Sequence, residues 1–169
     1  VQDVGTSSDK VTVTVNGIET LDINAIGTAN YVTIADNALK TLEISGSGDL
    51  DLDGIGTTVE SVDGSGATGN LTLDLTGADT FLFSVKGGAG DDVISIKIGN
   101  ILANAEIDGG GGSNVVTFTG GGTVQFTMGN VQTVKFGDLD SAVIFSAKNV
   151  SGIQNIVATN DVNQDVTFA

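Results

Sequence analysis

Short segments that alternate apolar and polar residues return along this chain at intervals of about twenty residues. Alternation with a period of two is typical of β-strands that bury one face, and no stretch shows a convincing helical period. The segments of a first family begin at residues 11, 31, 49, 71, 92 and 114, which are 20, 18, 22, 21 and 22 residues apart. A repeat of this length indicates that each unit forms one coil of a stacked architecture.

A second family of segments lies between the members of the first. Its members share the order apolar–polar–polar–apolar at their start, and they occupy residues 18–23, 39–44, 59–63, 131–136 and 153–157. Residues 81–85 and 102–107 are expected to supply two members in the gap. Each interval of about 20 to 22 residues therefore contains two strands, separated by Gly, Asn, Asp, Ser and Thr.

Two short strands and two turns are what one coil of a parallel β-solenoid requires. We therefore predict an all-β fold, a right-handed parallel β-helix or β-roll with coils of about 20–22 residues, as a single domain over residues 1–169 of a longer chain. An antiparallel sandwich would also contain short strands with glycine turns. It would not require the same order of residues to return in every second strand, so the solenoid is favoured. Glycines at 120–122 predict a change of coil length after Phe118.

Inward-facing positions follow from the alternation, because successive side chains of a strand point to opposite faces. The residues that we expect to point inward are Val13, Leu21, Ile34, Leu42, Leu52, Val62, Leu73, Val85, Ile94, Ile96, Val116, Phe118, Phe126, Val134, Phe145 and Ile156. Most are Val, Ile or Leu, since aromatic residues make up only 5% of the chain. The predicted core is therefore built in thin layers.

Residues 87–95 read Gly-Gly-Ala-Gly-Asp-Asp-Val-Ile-Ser, a full match to the nonapeptide G-G-x-G-x-D-x-U-x of calcium-binding β-rolls. A near-copy at 109–117 begins 22 residues later (109 − 87), with Asn114 in place of the key Asp. The glycines of this motif permit a tight turn with accessible carbonyls, and the Asp adds a charged oxygen. Calcium takes six to eight oxygen ligands, so carbonyls and carboxylates suit it.

The interval between the two copies predicts that their turns stack in neighbouring coils and share a calcium ion (Ca2+). The expected charged ligands are Asp91, Asp92 and Asp108. The other candidate ligands are Gly88, Gly90, Gly110, Gly112 and Asn114. The alternative is a pair of plain glycine-rich turns with a ladder through Asn70, Asp92 and Asn114, each 22 residues apart (92 − 70 and 114 − 92).

Other acidic residues have a simpler interpretation. Asp49, Asp51 and Asp53 alternate with leucines and so line one outer face. A solvated strand face that blocks edge pairing is favoured there over a cation site or a contact patch. Asp138 and Asp140 are interpreted as turn residues.

The net charge of −15 argues against nucleic acid and anionic membranes as partners, because both are bound through Lys and Arg. The chain lacks Cys and His, so it contains no thiolate or imidazole metal site and no Ser–His or Cys–His pair. The chain contains no run of about 18 apolar residues, which would predict insertion into a membrane.

We expect a protein that is not an enzyme. A carbohydrate-active β-helix is the enzyme alternative, for which a single Tyr and no Trp offer few sugar contacts.

Residues 87–95, the glycine- and aspartate-rich phrases at 46–52 and 59–73, and the absence of Cys and His resemble a known group of proteins. They are similar to the surface-layer (S-layer) proteins of the repeats-in-toxin class, which Gram-negative bacteria such as Caulobacter and Campylobacter export by type I secretion. The resemblance implies a secreted, calcium-binding β-solenoid at the cell surface that self-associates through calcium into a lattice. It also implies that the rest of the parent chain binds surface polysaccharide. The alternative is a repeat module of a large calcium-dependent secreted adhesin.

Overall fold

The computed structural model describes residues 1–78, 82–146, 149–159 and 164–169, with the side chain of Val124 excepted. The strands in these residues are β1 (Val11–Thr14), β2 (Thr20–Asn24), β3 (Ala29–Ala35), β4 (Thr41–Gly46), β5 (Asp49–Asp53), β6 (Ser61–Ala67), β7 (Leu71–Leu75), β8 (Leu82–Lys86), β9 (Val93–Lys97), β10 (Ile101–Asp108), β11 (Val115–Thr119), β12 (Gly122–Val124), β13 (Thr127–Gly129), β14 (Thr133–Phe136), β15 (Val143–Phe145), β16 (Asn155–Ala158) and β17 (Val166–Phe168). A short 3₁₀ turn covers Ile98–Asn100. In this described part of the chain, no helix is long and apolar enough to cross a membrane.

The strands pair in parallel and form three sheets. The first sheet has eight strands, in the order β1-β3-β5-β7-β9-β11-β14-β16, and the second has six, in the order β13-β10-β8-β6-β4-β2. The third sheet has three strands, β12-β15-β17. Neighbours in a sheet lie one coil apart along the chain, so that Val11 pairs with Val32, 21 residues later (32 − 11). This is a parallel β-solenoid, and it confirms the predicted fold class.

From β1 to β11 each coil has two walls, one strand from the first sheet and one from the second. Alternation points Val32 and Ile34 of β3 inward, and it does the same for Leu42 and Ile44 of β4. All four side chains are at most 2% exposed and belong to one hydrophobic core. Burial of a side chain of this size stabilises the fold by about 1.5–3 kcal/mol. The stacked columns of Val, Ile and Leu are therefore the main source of stability.

The coil changes shape after β11. The strands β12, β15 and β17 add a third wall, and the step from Val115 to its partner Thr133 shortens to 18 residues (133 − 115). Three walls enclose a wider interior than two, and phenylalanine rings fill it. The ring centroid of Phe118 lies 5.5 Å from that of Phe126 and 5.9 Å from that of Phe136. The predicted change of coil after Phe118 is confirmed.

The predicted inward residues are buried, with three exceptions. Val13 and Leu21, which belong to the first coil, are only partly buried and pack against the core. Ile156 has the predicted inward position by its register but is 48% exposed. It stacks on Val134 in the inward column, but β16 ends the first sheet and no described strand covers its other side.

The second family of segments does not lie in a single sheet. Residues 81–85 and 102–107 fall on β8 and β10 of the second sheet, as predicted, apart from residue 81, which lies outside the described residues. Residues 131–136 and 153–157 fall on β14 and β16 of the first sheet, so their assignment is wrong. The physical reason is the third wall, which adds one strand to the coil and leaves β13 to pair with β10 instead.

Candidate functional site

The nonapeptide forms one of five equivalent corners, each leading from a strand of the second sheet to the next strand of the first. Each corner has a small residue and, two positions later, a glycine. These pairs are Ala25 and Gly27, Gly46 and Gly48, Ala67 and Gly69, Gly88 and Gly90, and Gly110 and Gly112. A Cβ added to Gly90 would lie 2.6 Å from the carbonyl oxygen of Gly69, closer than real Cβ contacts. The glycines are therefore required because successive corners stack backbone on backbone.

In four of these corners, an exposed side chain follows the glycine at the later position, and we call Asp49, Asn70, Asp91 and Ser113 the outer ladder. The N–H of Asn70 donates to Oδ1 of Asp49 at 2.8 Å. The N–H of Asp91 donates to Oδ1 of Asn70 at 2.8 Å, and the N–H of Ser113 donates to Oδ1 of Asp91 at 2.7 Å. Each side-chain oxygen thus satisfies a backbone donor one coil further along the solenoid.

A second ladder runs beside it, and we call Asp92, Asn114 and Gln132 the inner ladder; Asp92 and Asn114 are buried. Asp92 is 0% exposed, and its two carboxylate oxygens accept the N–H of Leu71 at 2.8 Å and the N–H of Gly88 at 2.6 Å. The N–H of Asp92 donates to Oδ1 of Asn114 at 2.9 Å, and the N–H of Asn114 donates to Oε1 of Gln132 at 2.6 Å. Side chains of the inner ladder therefore satisfy donors in the preceding coil, opposite to the outer ladder.

The structure corrects the ladder expected through Asn70, Asp92 and Asn114. Asp92 and Asn114 share the inner ladder, whereas Asn70 lies in the outer ladder with Asp91. The reason is that β7 and β9 pair with a step of 21 residues (93 − 72) and not 22. A shift of one residue moves a side chain to the opposite face of a strand, so counting intervals along the sequence misplaced Asn70.

The electrostatics of Asp92 follow from its burial. Burial raises the pKa of this carboxyl above its ordinary value, the N–H groups of Leu71 and Gly88 oppose the rise, and the charge of Asp91 adds to it. A buried carboxylate that accepts two backbone N–H groups is stabilised by charge-assisted hydrogen bonds. Each oxygen of the Asp92 carboxylate thus accepts one backbone N–H group.

The third acidic candidate, Asp108, is used in a similar way. Its Oδ1 accepts the N–H of Gly110 at 2.9 Å and the side-chain amide of Asn130 at 2.7 Å. The carbonyl oxygen of Gly88, a candidate calcium ligand, accepts the N–H of Gly111 at 2.8 Å. This last bond places the turns 87–92 and 109–114 directly against each other, which is the stacking that their spacing predicts.

The hydrogen bonds at Asp92 do not favour a calcium ion in this arrangement. A cation needs converging oxygen lone pairs, whereas backbone N–H groups point at both oxygens of Asp92. Among the described residues, no group of three or more His, Cys, Asp or Glu side chains is placed to hold a metal ion. Calcium binding at these turns stays a prediction that rests on the sequence motif.

The acidic face at 49–53 has a partner that the sequence did not indicate. The ammonium of Lys10 lies 2.8 Å from Oδ1 of Asp51 and 2.9 Å from Oδ2 of Asp53, two coils away. The hydroxyl of Thr33 also donates to Asp53, at 2.5 Å. Asp49 belongs to the outer ladder. One ammonium therefore offsets part of the negative charge of this face, and the one hint of it in the sequence is a lysine just before the first strand.

A polar cleft of about 450 Å³ lies on the outer face of the first sheet. Hydroxyl, carboxylate and ammonium groups line it, and the loop between β14 and β15 contributes Asp138 and Asp140. The strand residues that line the cleft include Asp74, Ser95, Lys97 and Thr117. The cleft brings both charge signs and several hydroxyl groups together on one outer face.

No protein-family model, no curated protein and no solved structure matches this chain. The function is therefore argued from the solenoid, its corners and its outer faces. The resemblance to surface-layer proteins of the repeats-in-toxin class stays a prediction.

Proposed function

We propose that this chain is a structural segment of an extracellular bacterial surface layer, which keeps a fixed shape and contacts further copies of itself instead of converting a substrate. The observation that carries the proposal is the continuous parallel stacking, with eight strands in the first sheet and side-chain ladders along its corners. Solenoid stability is approximately a sum of terms between neighbouring coils, so such a fold extends in one direction without redesign. This property suits a protein that tiles a surface.

The end coils supply the contact surfaces. The strands β1 and β16 lie at opposite edges of the first sheet, where backbone donors and acceptors face outward. Apolar side chains are exposed in the same coils: Val11 by 42%, Ile18 by 44%, Ile156 by 48% and Phe168 by 51%. Stacking of one copy on the next would continue the interface that already joins coils within the chain. Where no further coil of the parent chain covers an end, the occupant that we propose for it is a second copy.

Charge supports contact at the last coil. The net charge of −15 makes copies repel one another over most of their surface. Residues 151–169 contain only two charged side chains, Asp161 and Asp165. The last coil can therefore approach another copy at a low electrostatic cost. Calcium ions between acidic outer faces would reduce the remaining repulsion, so we propose that calcium strengthens the association.

Light scattering of the purified chain, over a series of protein and calcium concentrations and in chelator, tests this proposal. We expect the mean mass to rise with both concentrations and to fall in chelator. Ile156→Lys places a charge on the end coil and should reduce the association. The matched control is Ile144→Lys, since Ile144 is 45% exposed but lies on the middle strand of the third sheet. A monomer under every condition contradicts the proposal.

An adhesin module is a second candidate, and the polar cleft favours it. The carboxylate of Asp74, the ammonium of Lys97 and nearby hydroxyl groups are able to hydrogen-bond a sugar. A glycan array decides between the two functions. Binding that is lost in Lys97→Gln, by a chain that stays monomeric, would favour adhesion over lattice formation.

A further inference from the structure

At Asp92, the corner at 87–92 is closed to a metal ion from the side of the preceding coil. One residue before the register pair Thr72–Val93, the position of Leu71 lies opposite Asp92. Leu71 is 0% exposed, so an ion between these coils would face an apolar side chain. The one polar group that Leu71 directs at Asp92 is its backbone N–H, which repels a cation.

The side of the following coil is closed as well. Oδ1 of Asn114 is already the acceptor for the N–H of Asp92. Its amide nitrogen donates to the carbonyl oxygens of Gly111 and Asn130, at 2.7 and 2.8 Å. Both polar atoms of the Asn114 side chain are therefore engaged with backbone groups, and its nitrogen, which can only donate, offers nothing to a cation.

The same column in other coils holds uncharged residues. Asn30 pairs with Leu50, and Leu50 pairs with Leu71, before the column reaches Asp92 and Asn114. An apolar side chain at this position is compatible with the corner, so the corner does not depend on a charged ligand. Asp92 adds an acceptor for two buried backbone donors, the N–H of Gly88 in its own coil and the N–H of Leu71 in the preceding coil.

From these contacts we infer that the corner of this chain is metal-free. Asp92 stabilises it as an internal acceptor for the N–H groups of Leu71 and Gly88, and not as a calcium ligand. The inference is independent of the proposed lattice function, in which calcium acts between molecules. It differs from the expectation drawn from the motif, because the motif describes residue types and not the direction of their hydrogen bonds.

Asp92→Asn and Asp91→Asn form a matched pair of variants that tests the inference. An amide at position 92 retains one acceptor and turns a second donor toward a backbone N–H, so we expect the Tm to fall by about 5 °C. An amide at position 91 keeps the acceptor that Ser113 needs, as Asn70 shows one coil earlier, so its Tm should match that of the wild type. Relative to chelator, millimolar calcium should change the Tm of the wild type and of Asp92→Asn by the same amount.

Amide hydrogen exchange, followed by NMR, gives a readout that does not depend on how well a variant folds. In the wild-type chain the N–H groups of Leu71 and Gly88 should be protected to the same degree in chelator and in calcium. Protection that appears only with calcium would overturn the inference, and so would a calcium-induced rise of Tm that vanishes in Asp92→Asn. A rise that is the same in the wild type and in this variant places the ion elsewhere and supports the metal-free corner. Light scattering of the same samples reports separately on the proposed association.

Discussion

Lys10 joins parts of the chain that are far apart in sequence. It precedes β1, and its side chain passes over β3 to reach two aspartates of β5. The ammonium contacts both Asp51 and Asp53, while its side chain is 18% exposed. Burial lowers the pKa of Lys10, but the two carboxylates outweigh this and leave it above its ordinary value of 10.5. For Asp53, burial raises the pKa, but the hydrogen bonds from Thr33 and Lys10 outweigh burial and leave the pKa below 3.8.

The direction of this shift gives a pH-dependent prediction. The pKa of Asp53 is lower in the folded state than its ordinary value, so its contribution to stability is present above pH 3.8 and is lost as the pH falls through the lowered pKa. Lys10→Gln should raise the pKa of Asp53 towards 3.8, measured by an NMR titration of the carboxyl carbons. Lys40→Gln is the control, since Lys40 pairs with Glu19 in an exposed position. An unchanged pKa of Asp53 in Lys10→Gln would contradict the role of the ammonium.

The corners show how an element that looks flexible in sequence is fixed by stacking. Gly90→Ala places a Cβ 2.6 Å from the carbonyl oxygen of Gly69, and this backbone group of the preceding coil cannot move away cheaply. We expect the free energy of unfolding to fall by about 1–3 kcal/mol, measured by denaturant titration. Gly99→Ala is the matched control, because a Cβ there meets no atom within 4 Å. If both variants lose the same stability, the close packing of the corners is not what the glycine provides.

Alternation within single strands was sufficient to predict much of the fold. The burial of a side chain such as Ile34 or Val116 depends on the alternation within its own strand. Such a local pattern can be recognised in the sequence. The third wall was not predictable in this way. Residues 131–136 have the residue order of strands in the second sheet, but they form β14 of the first sheet, and β13 takes the place in the second.

The candidate site was only half predicted. The stacking of its turns follows from their spacing, but the partners of Asp92 depend on a one-residue register that the interval does not specify.

On the scale of the whole molecule, parallel in-register stacking turns each outer position into a column of like or unlike charges. Asp22 pairs with Glu43, and Glu43 pairs with Asp63, so that three acids stand in successive coils of the second sheet. The column then reaches Lys86, which pairs with Asp63. Like charges directly opposite each other on neighbouring strands are destabilising. The net charge of −15 therefore lowers the stability of the fold and, at the same time, makes separate copies repel one another.

This charge arrangement predicts that salt stabilises the solenoid. Raising NaCl from about 0.01 to 0.15 M shortens the Debye length from about 30 to 8 Å, which screens repulsion within the column, so the Tm should rise. Glu43→Gln removes the middle acid, and it should raise the Tm at low salt by about 1–3 °C and weaken the dependence on salt. Glu60→Gln is the matched control. The N–H of Glu60 donates to the carbonyl oxygen of Lys40, so Glu60 lies beside a lysine and not beside acids. Removal of its charge should therefore not raise the Tm. Calorimetric melting curves at both salt concentrations measure these shifts. Equal effects of the two substitutions would mean that net charge alone, and not the stacking of acids, sets the electrostatic cost of this fold.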